Sequence, residues 1–211
     1  MLAPASYHQW YQSPRGAWFA ERELALLRQL MQPQAGESLL DLGCGTGFFS
    51  SGFADLGLEV SGLDPDPAML DFARQRDPRV RWLQGRGESL PFADGAFDQV
   101  LAMTSLCFVA DPQQALAEMW RVSGKGVTLG LLNRHSLLYR QKRASPGYAA
   151  ARWDSLSQAL GWVDGLSPRP RVDWASGIFL PSATPLARGL ERLLPSSLAW
   201  GGVLVLCLQT T

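Results

Sequence analysis

The chain has 211 residues and equal numbers of basic and acidic side chains, 19 Lys+Arg against 19 Asp+Glu, so its formal net charge is zero. That length sustains one domain with a substantial core, and the charge balance gives no global pull toward nucleic acid or an anionic membrane. The three cysteines, Cys44, Cys107 and Cys207, lie far apart and form no C-x-x-C, so neither a zinc site nor a disulfide framework is indicated and a reducing, cytoplasmic setting is expected.

Residues 1–20 crowd Tyr7, Trp10, Tyr11, Trp18 and Phe19 around a break at Ser13-Pro14-Arg15-Gly16. No clean helical or strand period precedes Ala17, so this segment reads as a bent aromatic lid rather than a core element. It shows no basic region followed by an apolar one, hence no signal peptide. Over residues 17–31 Leu24, Leu27, Leu30 and Met31 mark one helix face, and Pro33 ends it.

Residues 38–42 read as a short buried strand. Gly43, Gly45 and Gly47 follow at alternate positions, and residues 48–56 read as a helix. Glycine serves where the chain takes φ > 0 or where a ligand touches the backbone. The helix start behind the turn adds free N–H donors. Two phosphate-binding turns are excluded. The dinucleotide pattern G-x-G-x-x-G fails at Phe48, and no Gly-Lys-Ser/Thr occurs here. Asp41, two residues before Gly43, suits a cationic ligand group better than a phosphate.

A second strand over residues 58–63 ends at Asp64. Asp66-Pro67 opens a helix over 68–75, with Asp as N-cap and Pro at the first helical position. Strands follow over 79–83 and 97–102, the latter after the Asp94-Gly95 turn. Asp111-Pro112 opens the next helix, striped by Leu116, Met119 and Trp120. Gly124-Lys125-Gly126 ends it, and 127–132 is a fifth strand. Alternating strands and helices predict an α/β fold: a doubly wound, mostly parallel sheet with helices on both faces. Further on, 134–148 reads as a flexible connection, 148–160 and 186–194 as helical, and 171–180 and 203–209 as extended. The apolar stretch 198–208 falls far short of the ~20 residues that span a bilayer. A single domain over 1–211 is expected.

The run D-x-G-C-G-T-G from Asp41 to Gly47 resembles the first motif of class I S-adenosylmethionine (SAM)-dependent methyltransferases. The resemblance implies a Rossmann-like, seven-stranded sheet. It also implies that Gly43, Cys44, Gly45 and Gly47 pass under the methionine part of SAM, with Asp41 near its amino group. Asp64 stands where an acid takes both ribose hydroxyls. Pro65 and Met69 fall where the family packs apolar atoms on adenine. The segment from Gly85 to Phe92 resembles G-D-A-E-x-L-P-F of the ubiquinone/menaquinone-biosynthesis (type 11) group. Arg86 replaces the Asp that accepts from the adenine amino group, and arginine has no acceptor. That contact is then absent, or falls to Glu88 or a carbonyl, with the Gly87 N–H on a ring nitrogen. Alternatively Arg86 stacks on the adenine. Phe97-Asp98-Gln99-Val100 and Glu118 to Val122 extend the resemblance, which covers residues 35–133. Met103, Thr104 and Cys107 leave the fourth strand at its carboxyl end, the ligand-binding end of open α/β sheets.

The implied reaction is in-line transfer of the SAM methyl group to a small-molecule acceptor, leaving S-adenosylhomocysteine (SAH). Such an enzyme mainly aligns and desolvates, and a base serves only a weakly acidic acceptor. His8 and His135 are the chain's imidazoles. His135, Tyr7 and Tyr11 are the catalytic candidates, and Arg15 the partner of the SAM carboxylate as the lid closes. No metal cluster is visible. An arsenite methyltransferase needs a set of cysteines that is missing. A nucleic-acid methyltransferase calls for a basic face or an N-P-P-Y-like tetrapeptide. From another class stands a non-catalytic SAM-binding scaffold or sensor.

Overall fold

The protein is described by a computed structural model over residues 3–210. Seven strands form one sheet: β1 Ser38–Leu42, β2 Glu59–Asp64, β3 Arg81–Gln84, β4 Phe97–Met103, β5 Ser123–Leu132, β6 Arg171–Gly177 and β7 Val203–Gln209. Their spatial order is β3-β2-β1-β4-β5-β7-β6. The first five run parallel, and β7 enters antiparallel between β5 and β6. This is the Rossmann-like, mostly parallel, seven-stranded arrangement expected from the sequence.

Period-two alternation divides the strand side chains between two cores. Leu39, Leu101, Val203 and Val205 join one apolar cluster. Leu40, Leu42, Val100, Leu204 and Leu206 join the other. Helices α1 Pro4–Gln12, α2 Pro14–Met31, α3 Phe48–Ala54 and α4 Pro67–Arg76 cover the first. Helices α5 Pro112–Val122 and, beyond α6 Leu137–Lys142, α7 Leu156–Val163 cover the second. The Asp-Pro helix starts are as expected. The Asp66 carboxylate accepts from Ala68 N at 2.9 Å, and Asp111 accepts from Gln113 N and Gln114 N.

Four local expectations are corrected. Residues 1–20 are helical, in two pieces. The Ser13-Pro14 break is a helix boundary where Ser13 Oγ caps α2 by accepting from Gly16 N at 3.0 Å. The period was hidden because α1 is nine residues long and carries aromatics on more than one face. Residues 134–148 hold α6, capped by Ser136. Within 148–160, helix starts only at α7, where Ser155 and Gln158 form a capping box. Asp154 before it bridges Asn133 at the end of β5. Gly124-Lys125-Gly126 lies inside β5, where a Cβ on Gly126 would come within 2.5 Å of the Leu208 carbonyl of β7. Among the described residues no helix is long and apolar enough to cross a membrane. The last helix, α8, spans Pro185–Glu191.

Candidate active site

β1 ends in a turn whose glycines all take positive φ: 71° at Gly43, 53° at Gly45 and 75° at Gly47. The N–H groups of Gly43 and Cys44 both donate to the Leu63 carbonyl, at 2.7 and 3.2 Å, which ties the turn to β2. The three glycines do different work. A Cβ on Gly43 would strike Ser105, whose Oγ donates to the Leu42 carbonyl at 2.6 Å. A Cβ on Gly47 would strike the Trp82 ring. Gly45 is the open one, with the Tyr7 ring 3.7 Å from where its Cβ would stand.

Two carboxylates flank this turn. Asp64, at the end of β2, accepts from Gly45 N at 2.8 Å and from Asp66 N at 2.9 Å. Asp41, only 3% exposed, accepts from Ser50 Oγ at 2.5 Å. Burial pushes Asp41 up to about 6, and the Asp64 charge adds to the rise. Burial also raises Asp64. Two buried acids with no cationic partner among the described residues favour a positively charged ligand. The donor set thus fits SAM: an acceptor pair for hydroxyls, an acidic second residue, and one glycine with open space above it.

Cys44 is buried beside Gly62, and burial holds its thiol protonated, well above the ordinary range. Met69 is buried on α4, whereas Pro65 is exposed and its carbonyl accepts from Gln84 Nε2. Gly87 packs against Leu42, and Glu88 is half-buried beside it. Met103 lies across Gly130 of β5. The Arg86 side chain is 74% exposed, with Nε 3.8 Å from a Glu88 carboxylate oxygen. An exposed pair of that kind contributes little. Arg86→Asp therefore loses nothing from the fold and restores an acceptor. It is expected to tighten SAM binding by roughly 2- to 10-fold, the worth of one added hydrogen bond. Weaker binding in a calorimetric titration would put the guanidinium on the adenine instead.

Helix α1 sits on the turn. Tyr11 stacks on Phe48 with ring centroids 4.1 Å apart and 11° between planes. His8 Nδ1 is 3.4 Å from Thr46 Oγ1, and the Tyr7 and Tyr11 hydroxyls are 3.0 Å apart. Burial raises both phenols, so they stay protonated. His135 is exposed just beyond β5, where its N–H donates to Asn133 Oδ1, and it does not join this group. The imidazole at the turn is that of His8, which burial and the nearby Arg76 charge keep neutral. The Arg15 guanidinium lies over the Phe19 ring at 5.3 Å.

The sequence reading missed Glu23, and gave no role to Tyr148 or Trp153. Glu23 is 8% exposed on α2, flanked on its helix face by buried Phe19, Ala20, Leu26 and Leu27. The signal was available: an acid at the centre of an apolar i±3/i±4 face is out of pattern. Cys107 lies after β4, buried, with its thiol pushed up to about 12 by burial. Among the described residues no group of three His, Cys, Asp or Glu stands ready for a metal ion. One surface cleft, lined by Trp120, Arg121, Leu166 and Thr210, opens at the amino ends of β4 and β5, away from the turn.

A family model described as a methyltransferase domain matches residues 40–130. An uncharacterised protein of Mycobacterium bovis is 39% identical over 156 residues, 71% of this chain and 52% of its own length. Demethylmenaquinone methyltransferase of Renibacterium salmoninarum is 42% identical over 91 residues, 43% of this chain and 38% of that protein. The chain thus spans about half or less of these curated relatives. A solved SAM-dependent methyltransferase of Thermotoga maritima, described as a possible histamine N-methyltransferase, is 27% identical with a TM-score of 0.77, over 98% of this chain and 96% of that one. Sheet order, glycine turn and these matches agree: residues 40–130 match a methyltransferase domain, and nearly the whole chain shares the fold of a solved SAM-dependent methyltransferase.

Proposed function

We propose that this protein transfers the methyl group of SAM to a small-molecule acceptor. The observation that carries the proposal is the Asp64 carboxylate fixed under open Gly45 at the carboxyl end of the sheet, with buried Asp41 beside it. In this reading Asp64 takes the ribose hydroxyls, and Gly43, Cys44, Gly45 and Gly47 line the methionine part. Asp41 faces the amino group, and Arg15 meets the carboxylate. Pro65, Met69, Gly87 and Glu88 surround the adenine. When bound, the cofactor supplies an electrophilic methyl group on a sulfonium.

The chain's own share is alignment and the exclusion of water. Residues 1–211 act as one domain in this proposal, with α1 as a lid: its aromatic face rests on Phe48 and Thr46 rather than on a strand. A site closed by such a lid suits a small molecule better than a polymer. The neutral charge balance points the same way. The name of the Thermotoga relative motivates including amines among the acceptors tried.

The test is SAH formation over classes of small acceptors: amines, phenols, alcohols, thiols and enolisable carbonyls. Turnover of at least one class is expected, and lost in Asp64→Ala at limiting SAM. SAM binding without SAH formation from any class would favour the scaffold or sensor reading.

A further inference from the structure

We propose that the face formed by α8, the turn through Trp200 and the start of α6 is a docking surface for an anionic phospholipid bilayer, on which the protein rests without crossing it. Leu186, Leu190 and Leu193 follow one another at helical spacing, and the Leu193 N–H, bonded to the Leu190 carbonyl, carries the turn past the end of α8. The three side chains therefore lie along one side. That side is in water: Leu186 is 74% exposed, Leu190 45% and Leu193 79%. The opposite side holds the helix to the fold. Buried Glu191 accepts there from the N–H groups of Ile178, Phe179 and Leu180.

The leucines do not stand alone. Trp200 is 57% exposed, and its ring centroid is 6.4 Å from that of Phe179. The turn that carries it is tied to α6. Asn133 Nδ2 donates to the Ala199 and Gly201 carbonyls at 2.9 and 2.8 Å, and Leu138 packs on Gly202. Leu137, next to Leu138, is exposed. Among the described residues, five of the seven exposed large apolar side chains thus gather on α8, this turn and α6. Such a concentration marks an interaction surface. Strands β5 and β6, which lead toward α6 and α8, end at the same end of the sheet as β1. The face and the glycine turn therefore share one end of the molecule.

Charge selects the occupant. From Arg134 to Arg143 the chain carries Arg134, Arg140, Lys142 and Arg143 and no acid. Helix α8 and its end add Arg188 and Arg192, and the one acid between Pro181 and Gly202 is the buried Glu191. None of these six cations forms an ion pair among the described residues. Arg188 donates instead to the Ala183 and Pro14 carbonyls. A bilayer with anionic headgroups meets both parts of this surface. The leucines enter the interface, the tryptophan sits at headgroup level, and the long basic side chains reach the phosphates. A second copy docked through the same face would set arginine against arginine. Nucleic acid would neutralise the arginines and leave the leucines in water.

Co-sedimentation of the full chain with sucrose-loaded vesicles tests the proposal. Partition into phosphatidylcholine vesicles containing one part in three phosphatidylglycerol is expected to exceed partition into pure phosphatidylcholine by about tenfold or more. Salt at about 1 M, where the screening length is about 3 Å, should remove most of that difference. Leu186→Ser combined with Leu193→Ser lies outside the core, so circular dichroism and Tm should hold while partition falls about tenfold or more. Arg140→Gln, Arg143→Gln and Arg192→Gln together should produce a loss of at least similar size. No binding to the mixed vesicles, equal binding to both vesicle types, or wild-type partition in the leucine variant would overturn the assignment. A dimer in sedimentation equilibrium that the leucine variant abolishes, without vesicle binding, would assign the face to a second copy instead. Binding of duplex RNA or DNA that the leucine variant retains, without vesicle binding, would assign it to nucleic acid. None of these measurements uses SAM, so their outcome is separate from that of the methyltransferase reading.

Discussion

Glu23→Gln is expected to stabilise the ligand-free protein at alkaline pH by up to about 5 kcal/mol while changing little at pH 5. The folded-state pKa of Glu23, about 8, lies above the ordinary 4.5 because burial disfavours the charged form. Between those values the folded chain holds a proton that the unfolded chain has lost. Stability therefore falls as pH rises: the contribution of the protonated group is fully present below about 4.5 and gone above about 8. At about 1.4 kcal/mol per pH unit the whole window amounts to ~5 kcal/mol. Asp41, raised to about 6, contributes a decline of the same sign at lower pH, but in both proteins alike. Glutamine matches the shape of protonated glutamate and never ionises. Urea unfolding at pH 5 and pH 9 reads the difference. Parallel stability curves for the two proteins would mean that the Glu23 carboxylate is solvated.

Asp64→Ala is expected to weaken SAM binding by roughly 10- to 150-fold. Hydrogen bonds from hydroxyls to a charged acceptor contribute ~1.5–3 kcal/mol, and the carboxylate of Asp64 offers two oxygens. Gly45 N and Asp66 N hold those oxygens in place at 2.8 and 2.9 Å, so the acceptor is already oriented before any ligand arrives. Alanine leaves these two N–H groups at the turn without their partner, so some loss of stability accompanies the loss of affinity. Asp64→Asn separates the two, since the amide keeps one acceptor and removes the charge. It should fall between wild type and Asp64→Ala in titration calorimetry. A change below about threefold in Asp64→Ala would place the ribose elsewhere.

The core of the fold was legible because its signals are local. A buried strand followed by alternate glycines, then Asp-Pro helix starts at Asp66 and Asp111, fix the order of elements from residues 38 to 132 without reference to tertiary contacts. Gly45 and Asp64 were legible for the same reason, since both positions are set by the end of a strand. The N-terminal helices were not. In α1 the apolar residues wrap round the helix because one side meets the turn and another meets α2, so no single stripe appears. Glu23 escaped because a local pattern presents it as one more charge among Glu21, Arg22 and Arg28. Only the packing of α2 against the rest of the fold buries it. His135 drew attention by following a strand, yet the chain turns there to begin α6 and leaves the imidazole in solvent. Arg86 breaks the family pattern at a position where its side chain simply points outward.

The central claim is that the turn from Asp41 to Gly47, with Asp64, holds SAM. Thermal unfolding with added nucleotide ligands tests it most directly. At a ligand concentration of 100 times Kd, binding stabilises the folded state by about 2.7 kcal/mol. For a chain of this length that corresponds to a rise in Tm of roughly 5–10 °C. SAM and SAH are each expected to produce that rise, NAD none, and Asp64→Ala to lose most of it. A shift with NAD but not with SAM or SAH would contradict the account.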